Sequence, residues 1–313
     1  MKGPLLAANT RSSALATNAL GGILLLYLSG WILSGLDASG KWMLALGTPL
    51  ILLAWVRYVV HFVLITSLLY PKHKFRYFKS HSLKLQLMRA LTMLMATLLF
   101  FTTLSYLPQA EATSIIFLAP LMILAASPWV LGEAARVSRW VAAFIAFIGV
   151  LIVIRPTSGL HPTGVMFGLL TAVAFACQHI MTRRVAIDHA FTTLIWSGLA
   201  GTVVLSLMLP FIWSQAIEVL TTMRLLDIFI LISIGITGAC GHLVQIQAYR
   251  LAPASVLAPF IYMQITAAAT IGWLVWGDFP DATTWMGIGI ICASGAGIGW
   301  YEWRNQATKS SPA

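Results

Sequence analysis

Ten long apolar runs divide this sequence, and they constrain its fold more than any other feature. A helix needs about 20 residues to cross roughly 30 Å of hydrocarbon, and each run approaches or exceeds that length. The runs lie near residues 15–36, 44–70, 84–107, 111–131, 138–154, 163–182, 191–213, 226–251, 255–277 and 283–301. Mostly short links join them. The pattern therefore predicts an all-α integral membrane protein with ten transmembrane helices and no separate soluble domain.

Composition agrees with this prediction and excludes several classes of protein. Hydrophobic residues make up 59% of the chain and charged residues only 9%, far from the values of a soluble domain. The net charge of +10 does not indicate nucleic-acid binding, because the Lys and Arg residues fall between the apolar runs. Cys177, Cys240 and Cys292 stand alone in apolar surroundings, so we predict neither a metal site nor a disulfide framework.

The distribution of cations predicts the orientation. Lys and Arg in short loops are retained on the cytoplasmic side, and most of the 19 cations share one side if the amino terminus is cytoplasmic. With ten crossings, both termini are then cytoplasmic. In this arrangement Lys41, Arg155 and Arg224 lie on the opposite side, and Arg57 lies inside the second run.

An internal repeat relates the two halves of the chain. Residues 100–150 and 245–295 align without a gap at an offset of 145. The aligned pairs are Pro108 with Pro253, Gly132 with Gly277, Glu133 with Asp278 and Trp140 with Trp285. We predict two five-helix repeats, residues 1–157 and 158–313, which are inverted because five is odd. Inverted repeats are typical of transporters, whose substrate site lies near the bilayer midplane.

Several motifs resemble a known family. SYLPQAEATSIIFLAPL (105–121), LGE (131–133), RW (139–140) and IGVLIVIRP (148–156) resemble the first half of the EamA-type branch of the drug/metabolite transporter superfamily. AYRLAPASVLAPFIY (248–262) and WGDFPD (276–281) resemble its second half. The resemblance implies a ten-helix carrier in the inner or plasma membrane, with a central cavity that takes small organic metabolites by alternating access. No cofactor is implied.

Polar and aromatic residues within the runs are the candidate cavity residues, because an ionisable group at bilayer depth usually faces protein or a wet cavity. Arg57 and His61 share one face of the second run. In the repeat register Phe117 falls opposite Tyr262. The full set of substrate-binding candidates is Arg57, His61, Phe117, Thr171, Phe175, Gln178, His242, Gln245, Tyr262 and Gln264. Each of them also has a purely structural interpretation, as a helix-packing hydrogen bond or an apolar filler.

The sequence predicts a secondary transporter and leaves alternatives open. A membrane channel and a non-transporting scaffold remain alternatives, whereas an intramembrane enzyme is disfavoured because no nucleophile with its base, carboxylate pair or metal cluster is visible. We identify no acidic residue at mid-depth in the runs, which favours neutral or anionic substrates over cations and leaves coupling undetermined. The expected partners are a small metabolite and the lipid bilayer, and the oligomeric state is not predicted.

Overall fold

The structure is a computed structural model that describes residues 3–73, 76–131, 137–154, 160–185, 187–251 and 257–309. Most of the described residues are helical, and none of them forms a strand. A helix satisfies its backbone hydrogen bonds within its own segment, which is what a chain needs where water is absent.

The described residues of the first half form six helices. They are α1 (Gly3–Ala45), α2 (Leu50–His73), α3 (Leu83–Tyr106), α4 (Gln109–Ile116), α5 (Ala119–Leu131) and α6 (Val137–Ile154). A short 3-10 turn, Arg76–Phe78, lies between α2 and α3.

The second half repeats this plan with one added surface helix. Its helices are α7 (Pro162–Arg184), α8 (Ala190–Met208), α9 (Trp213–Thr222), α10 (Leu225–Leu251), α11 (Gln264–Trp276) and α12 (Ala282–Lys309). The 3-10 turns Leu209–Ile212 and Ala258–Met263 precede α9 and α11 respectively.

The described helices fit ten membrane spans, which confirms the predicted fold class. Among the described residues, six helical stretches are long and apolar enough to cross a membrane, and three shorter apolar helices accompany them. The fourth span is broken between α4 and α5 at Phe117 and Leu118. The ninth is broken in the corresponding place, where a 3-10 turn meets α11. Both breaks lie beside the central cavity, as discontinuous helices do in carriers.

Two helix ends differ from the sequence prediction. α1 continues to Ala45 rather than ending near residue 36, and α2 begins at Leu50 rather than near residue 44. The polar stretch 37–41 stays helical because it is packed against protein, and Gly40 lies so close to the Phe101 ring that a Cβ at this position would clash with it. Arg57 is therefore seven residues into α2, at a depth of about 10 Å, rather than at the centre of the predicted run 44–70.

The 145-residue offset holds in three dimensions between α6 and α12. A Cβ on Gly149 would lie 2.9 Å from the carbonyl oxygen of Gly287, so the two backbones are in close contact. The Ser294 hydroxyl donates to the carbonyl oxygen of Ala142 at 2.6 Å. The offset of 145 relates Gly149 to Ser294 and Ala142 to Gly287, so the two contacts are equivalent under the repeat. The register read from the sequence therefore describes real packing.

The helix contacts are also equivalent when each helix is replaced by its counterpart in the other repeat. α1 packs along α10 as α7 packs along α3, whereas α2 pairs with α8 and α6 with α12. Each half contributes five spans. Because five is odd, the second half has the opposite orientation in the membrane from the first. The boundary that we predict between residues 157 and 158 lies outside the described residues, as do Gly132, Glu133 and Pro253 of the aligned pairs.

Candidate functional site

A cavity of about 540 Å³ lies at the centre of the bundle. Its wall combines charged and polar side chains with aromatic and aliphatic ones, contributed by eight of the spans. The polar members are Asp37, Arg57, Arg89, Thr97, Gln178, His179, Thr182, Asp188, Thr193, His242, Gln245 and Gln264. The volume lies within the usual range for a small-molecule site, about 300–1,000 Å³.

The cavity reaches one face of the protein and stops short of the other. Along α7 its wall runs from Phe175 to Val185, about 15 Å at 1.5 Å per residue, and it continues to Asp188 in the α7–α8 loop. At the opposite end it extends to the level of Asp37 and Arg57. We call these the loop face and the closed face.

An ion pair lies at the closed face and connects the two halves. Lys41 Nζ is 3.3 Å from Asp278 Oδ2, and the same ammonium lies 4.7 Å from the centroid of the Trp276 ring. Near the same end of the bundle, in the last turns of α3 and just after it, Phe101, Leu104 and Leu107 are almost completely buried in one apolar cluster. Charge pairing and an apolar layer together separate the cavity from this face.

At the loop face, Asp188 joins the α7–α8 loop to the segment before α3. Its carboxylate accepts hydrogen bonds from the Ser80 hydroxyl at 2.5 Å, the Gln86 amide at 2.9 Å and the His81 backbone N–H at 2.9 Å, and it pairs with the His81 ring at 2.7 Å. Burial raises the pKa of Asp188, but these hydrogen bonds lower it by more, so the pKa lies well below its usual range. The carboxylate is therefore ionised at neutral pH.

Arg57 is held in a fixed position beside the cavity. Its Nη1 donates to the Thr97 hydroxyl at 2.9 Å, and Thr97 in turn is 3.0 Å from the Tyr58 hydroxyl. The guanidinium also lies near the Tyr58 and Phe101 rings, at 5.6 and 5.7 Å from their centroids. Only one of its five N–H donors is used by a described residue, which leaves the others for a ligand or water.

Asp37 is a buried carboxylate on the same cavity and is not among the residues predicted from sequence. The side chain is 7% exposed, and Arg57 is the cation that acts on it electrostatically. Within the described parts of the chain, no group donates a hydrogen bond to Asp37 and no cation lies within 4.0 Å of it. The inference that no acidic residue occupies mid-depth is therefore wrong. It followed from ending the first helix at residue 36.

The predicted orientation assigns Arg89 to the cytoplasmic side with the other cations, but its side chain is buried in the cavity wall. Its guanidinium donates to the Thr182 hydroxyl at 2.9 Å, to the Thr193 carbonyl oxygen at 3.5 Å and to the Ser197 hydroxyl. These neutral oxygens solvate the charge without cancelling it. The wall is consequently positive at this level.

Seven of the ten residues predicted from sequence line the cavity: Arg57, Phe117, Phe175, Gln178, His242, Gln245 and Gln264. They come from five of the spans and face one another only in the folded bundle.

The other three predicted residues lie behind the wall. His61 is buried beside Gly198, and its ring Nε2 has no partner among the described residues. Thr171 donates to the Phe167 carbonyl oxygen at 2.7 Å, and Tyr262 packs on Phe117 with ring centroids 5.4 Å apart. These three side chains support the wall rather than facing the cavity.

Asp37, Arg89 and Thr97 also line the cavity but were absent from the predicted set. For Asp37 a signal existed, since DASGK follows an apolar run without Pro or a pair of glycines to end a helix. For Arg89 and Thr97 the sequence offers little, because α3 is polar on more than one face. Among the described residues, no group of three or more His, Cys, Asp or Glu side chains is arranged to hold a metal ion.

Comparisons with known proteins identify relatives over most of the chain. It is 24% identical over 188 residues to the S-adenosylmethionine uptake transporter of Rickettsia bellii, covering 60% of this chain and 62% of that protein. It is 25% identical over 186 residues to the pseudopaline exporter CntI of Pseudomonas aeruginosa, covering 59% and 64%. The chain thus spans less than two thirds of the length of these two relatives. An uncharacterized transporter of Helicobacter pylori is 28% identical over 240 residues, covering 74% and 79%.

Structure and sequence profile agree with these relatives. The chain superposes on one solved crystal structure with a TM-score of 0.61 at 13% identity, covering 91% of this chain and 99% of the other, so the fold is shared. The profile of the EamA-like transporter family matches twice, at residues 20–155 and 162–300. Because these two matches together cover most of the chain, the protein belongs to the EamA-like transporter family.

Proposed function

We propose that the protein is a secondary transporter that moves small organic metabolites across the membrane by alternating access, without ATP. The observation that carries this proposal is the central cavity, which reaches the loop face and is closed at the other face by Lys41 and Asp278. A carrier in one of its two end states has this shape. A continuous pore would be open at both faces.

The relatives support the substrate class. One is named for the uptake of S-adenosylmethionine and another for the export of pseudopaline. Both are small polar organic molecules. We infer the same general class for this chain, and no direction of transport, since the two names imply opposite directions.

The substrate contacts the polar lining of the cavity. We assign this role to Arg57, Gln178, His242, Gln245 and Gln264, with Phe117 and Phe175 providing apolar contact. Helix α7 supplies two of these side chains, Phe175 and Gln178, and α10 supplies His242 and Gln245.

We place the protein in the inner or plasma membrane with both termini in the cytoplasm. The support is the cation distribution, in which the segment from residue 72 to residue 84 is strongly basic. Within it, Ser80 and His81 lie at the loop face, where they contact Asp188. In this orientation the cavity is open to the cytoplasm. The partners are a small metabolite and lipid, with no nucleic acid and no catalytic role.

Transport is testable with purified protein in lipid vesicles that contain no ATP. We expect vesicles incubated in an isotope-labelled metabolite extract to accumulate a defined subset of compounds, detected by mass spectrometry. Gln178→Trp fills the cavity and should abolish uptake, whereas the matched control Cys177→Trp changes an exposed neighbour and should not. Accumulation no greater than in protein-free vesicles would refute transport, and equal uptake by the two variants would refute the cavity as its route.

A further inference from the structure

A short basic segment joins α2 to α3 at the loop face. Residues 72–84 contain five Lys or Arg residues, and no Asp or Glu occurs in the sequence between Asp37 and Glu111. The structure describes the side chains of three of these cations, Arg76, Lys79 and Lys84, and all three are exposed. The segment therefore concentrates positive charge at the ends of two membrane spans.

Contacts with the start of α8 fix the backbone of this segment. The Tyr77 ring packs against the rings of His189 and Phe191, with centroids 4.8 and 5.5 Å away. The Trp196 indole N–H donates to the carbonyl oxygen of Phe78 at 3.2 Å. The aromatic residues of the segment thus hold it against the protein, while the cations between them remain exposed.

Two of the exposed cations lie on the same side of the 3-10 turn. The backbone N–H of Lys79 donates to the carbonyl oxygen of Arg76 at 3.4 Å, and side chains three residues apart are eclipsed in this geometry. The carboxylate of Asp188 is already engaged by hydrogen bonds from the end of the same segment. Within the described parts of the chain, no carboxylate lies within 4.0 Å of these two cations or of Lys84.

Lys84 continues the face that α3 presents to lipid. Met88, Leu91 and Met95 follow it at helical spacing, and they are 45%, 48% and 56% exposed. Gln86, on the other side of the helix, is buried. An exposed apolar stripe on a membrane helix faces acyl chains, so a lysine at its end places its ammonium at the level of the lipid headgroups.

We propose that this basic segment binds an anionic phospholipid, whose headgroup phosphate pairs with Arg76, Lys79 and Lys84 while its acyl chains lie along the apolar stripe of α3. Clusters of Lys and Arg beside a membrane span attract anionic lipids, and a guanidinium binds phosphate through two parallel N–H groups. The apolar stripe favours a lipid over a soluble phosphate or a nucleic acid, because neither of those has acyl chains to cover it. The inference goes beyond transport and does not depend on it.

Two lipids with identical acyl chains isolate the contribution of the headgroup. The full chain, purified in a neutral detergent, is titrated with dioleoylphosphatidylglycerol or dioleoylphosphatidylcholine, and bound lipid is counted by native mass spectrometry. We expect a Kd for the anionic lipid at least tenfold lower than for the zwitterionic one. The anionic lipid should also raise the melting temperature, because a ligand of the native state stabilises it. Glycerol 3-phosphate and oligouridylate, at the same phosphate concentration, should not displace it.

Single substitutions locate the site. Arg76→Gln and Lys79→Gln should each raise the Kd for phosphatidylglycerol about fivefold, the factor that one cation near an anionic headgroup contributes. The Kd for phosphatidylcholine should not change. Arg304→Gln makes the same change of charge near the end of α12 and should alter neither Kd. This control separates a defined site from attraction by the net charge of the protein.

Three results would overturn the proposal: equal Kd values for the two lipids on the unmodified protein, an equal effect of Arg304→Gln, or displacement of the lipid by glycerol 3-phosphate or oligouridylate. The comparison of the two lipids needs no variant, so it stays decisive if a variant fails to fold. Lipid binding in detergent is measured without any substrate, so a failed uptake assay would refute transport and leave this inference standing.

Discussion

Replacing Lys41 by methionine tests whether the ion pair at the closed face holds the two halves together. The pair links α1 to the loop after α11, and Lys41 Nζ lies 3.3 Å from Asp278 and 4.7 Å from the Trp276 ring centroid. A partly exposed ion pair contributes about 0.5–1 kcal/mol, and a cation–π contact at such a site about the same. Together they amount to about 1–2 kcal/mol, or about a 5–30-fold change in the ratio of the closed to the open conformation at this face.

Double electron–electron resonance between two spin labels measures the ratio of the closed to the open conformation. Labels at Leu46→Cys and Phe279→Cys, in a background without the three native cysteines, report the separation across the closed face, where both residues are exposed. The unmodified protein should give one short distance. Lys41→Met should add a longer distance between the labels, and Asp278→Asn should add the same one. The double variant should show no further change.

The chain offers a matched control for this experiment. Arg224 and Asp227 form an ion pair at 3.0 Å, but the two residues are three apart and join no separate elements. Arg224→Met should therefore leave the distance distribution unchanged. An unchanged distribution in Lys41→Met, or an equal change in Arg224→Met, would refute the role of the Lys41–Asp278 pair as a latch.

Three further predictions concern packing, pH and topology. Gly149→Val should lower the melting temperature, because its Cβ meets Gly287 at 2.9 Å and overpacking costs about 1–3 kcal/mol, whereas Gly289→Val, with open space around it, should melt like the parent. Since the pKa of Asp188 is lower in the fold than in the unfolded chain, its stabilisation is full above about pH 5 and falls as the pH drops below about 4; the melting-temperature gap between the parent and Asp188→Asn should shrink only in that acidic range. A pH-independent gap would contradict this linkage. A reporter fused after Ala313 should be active in the cytoplasm and one in the loop 156–162 outside, and the reverse pattern would overturn the orientation.

The membrane environment of this protein and its ten spans were predictable from the sequence for a physical reason. Burying backbone polar groups in hydrocarbon forces each apolar run into a helix, so length and hydropathy are sufficient to locate the spans. The repeat register was predictable as well, since the offset of 145 that aligns Trp140 with Trp285 also relates the contacts of Gly149 and Ser294. These properties depend on the sequence of the runs themselves and not on how the runs pack.

Tertiary packing decided where the helices end and which charges meet. The stretch 37–41 contains Asp, Ser, Gly and Lys, a composition typical of a loop, yet it continues α1 because Lys41 reaches Asp278 and Gly40 fits against Phe101. Only that continuation brings Asp37 to the cavity opposite Arg57. Sequence spacing gives the face of a helix but not the neighbour of that face, so His61 and Thr171 lie behind the wall while Arg89, assigned to the cytoplasmic side, lies within it.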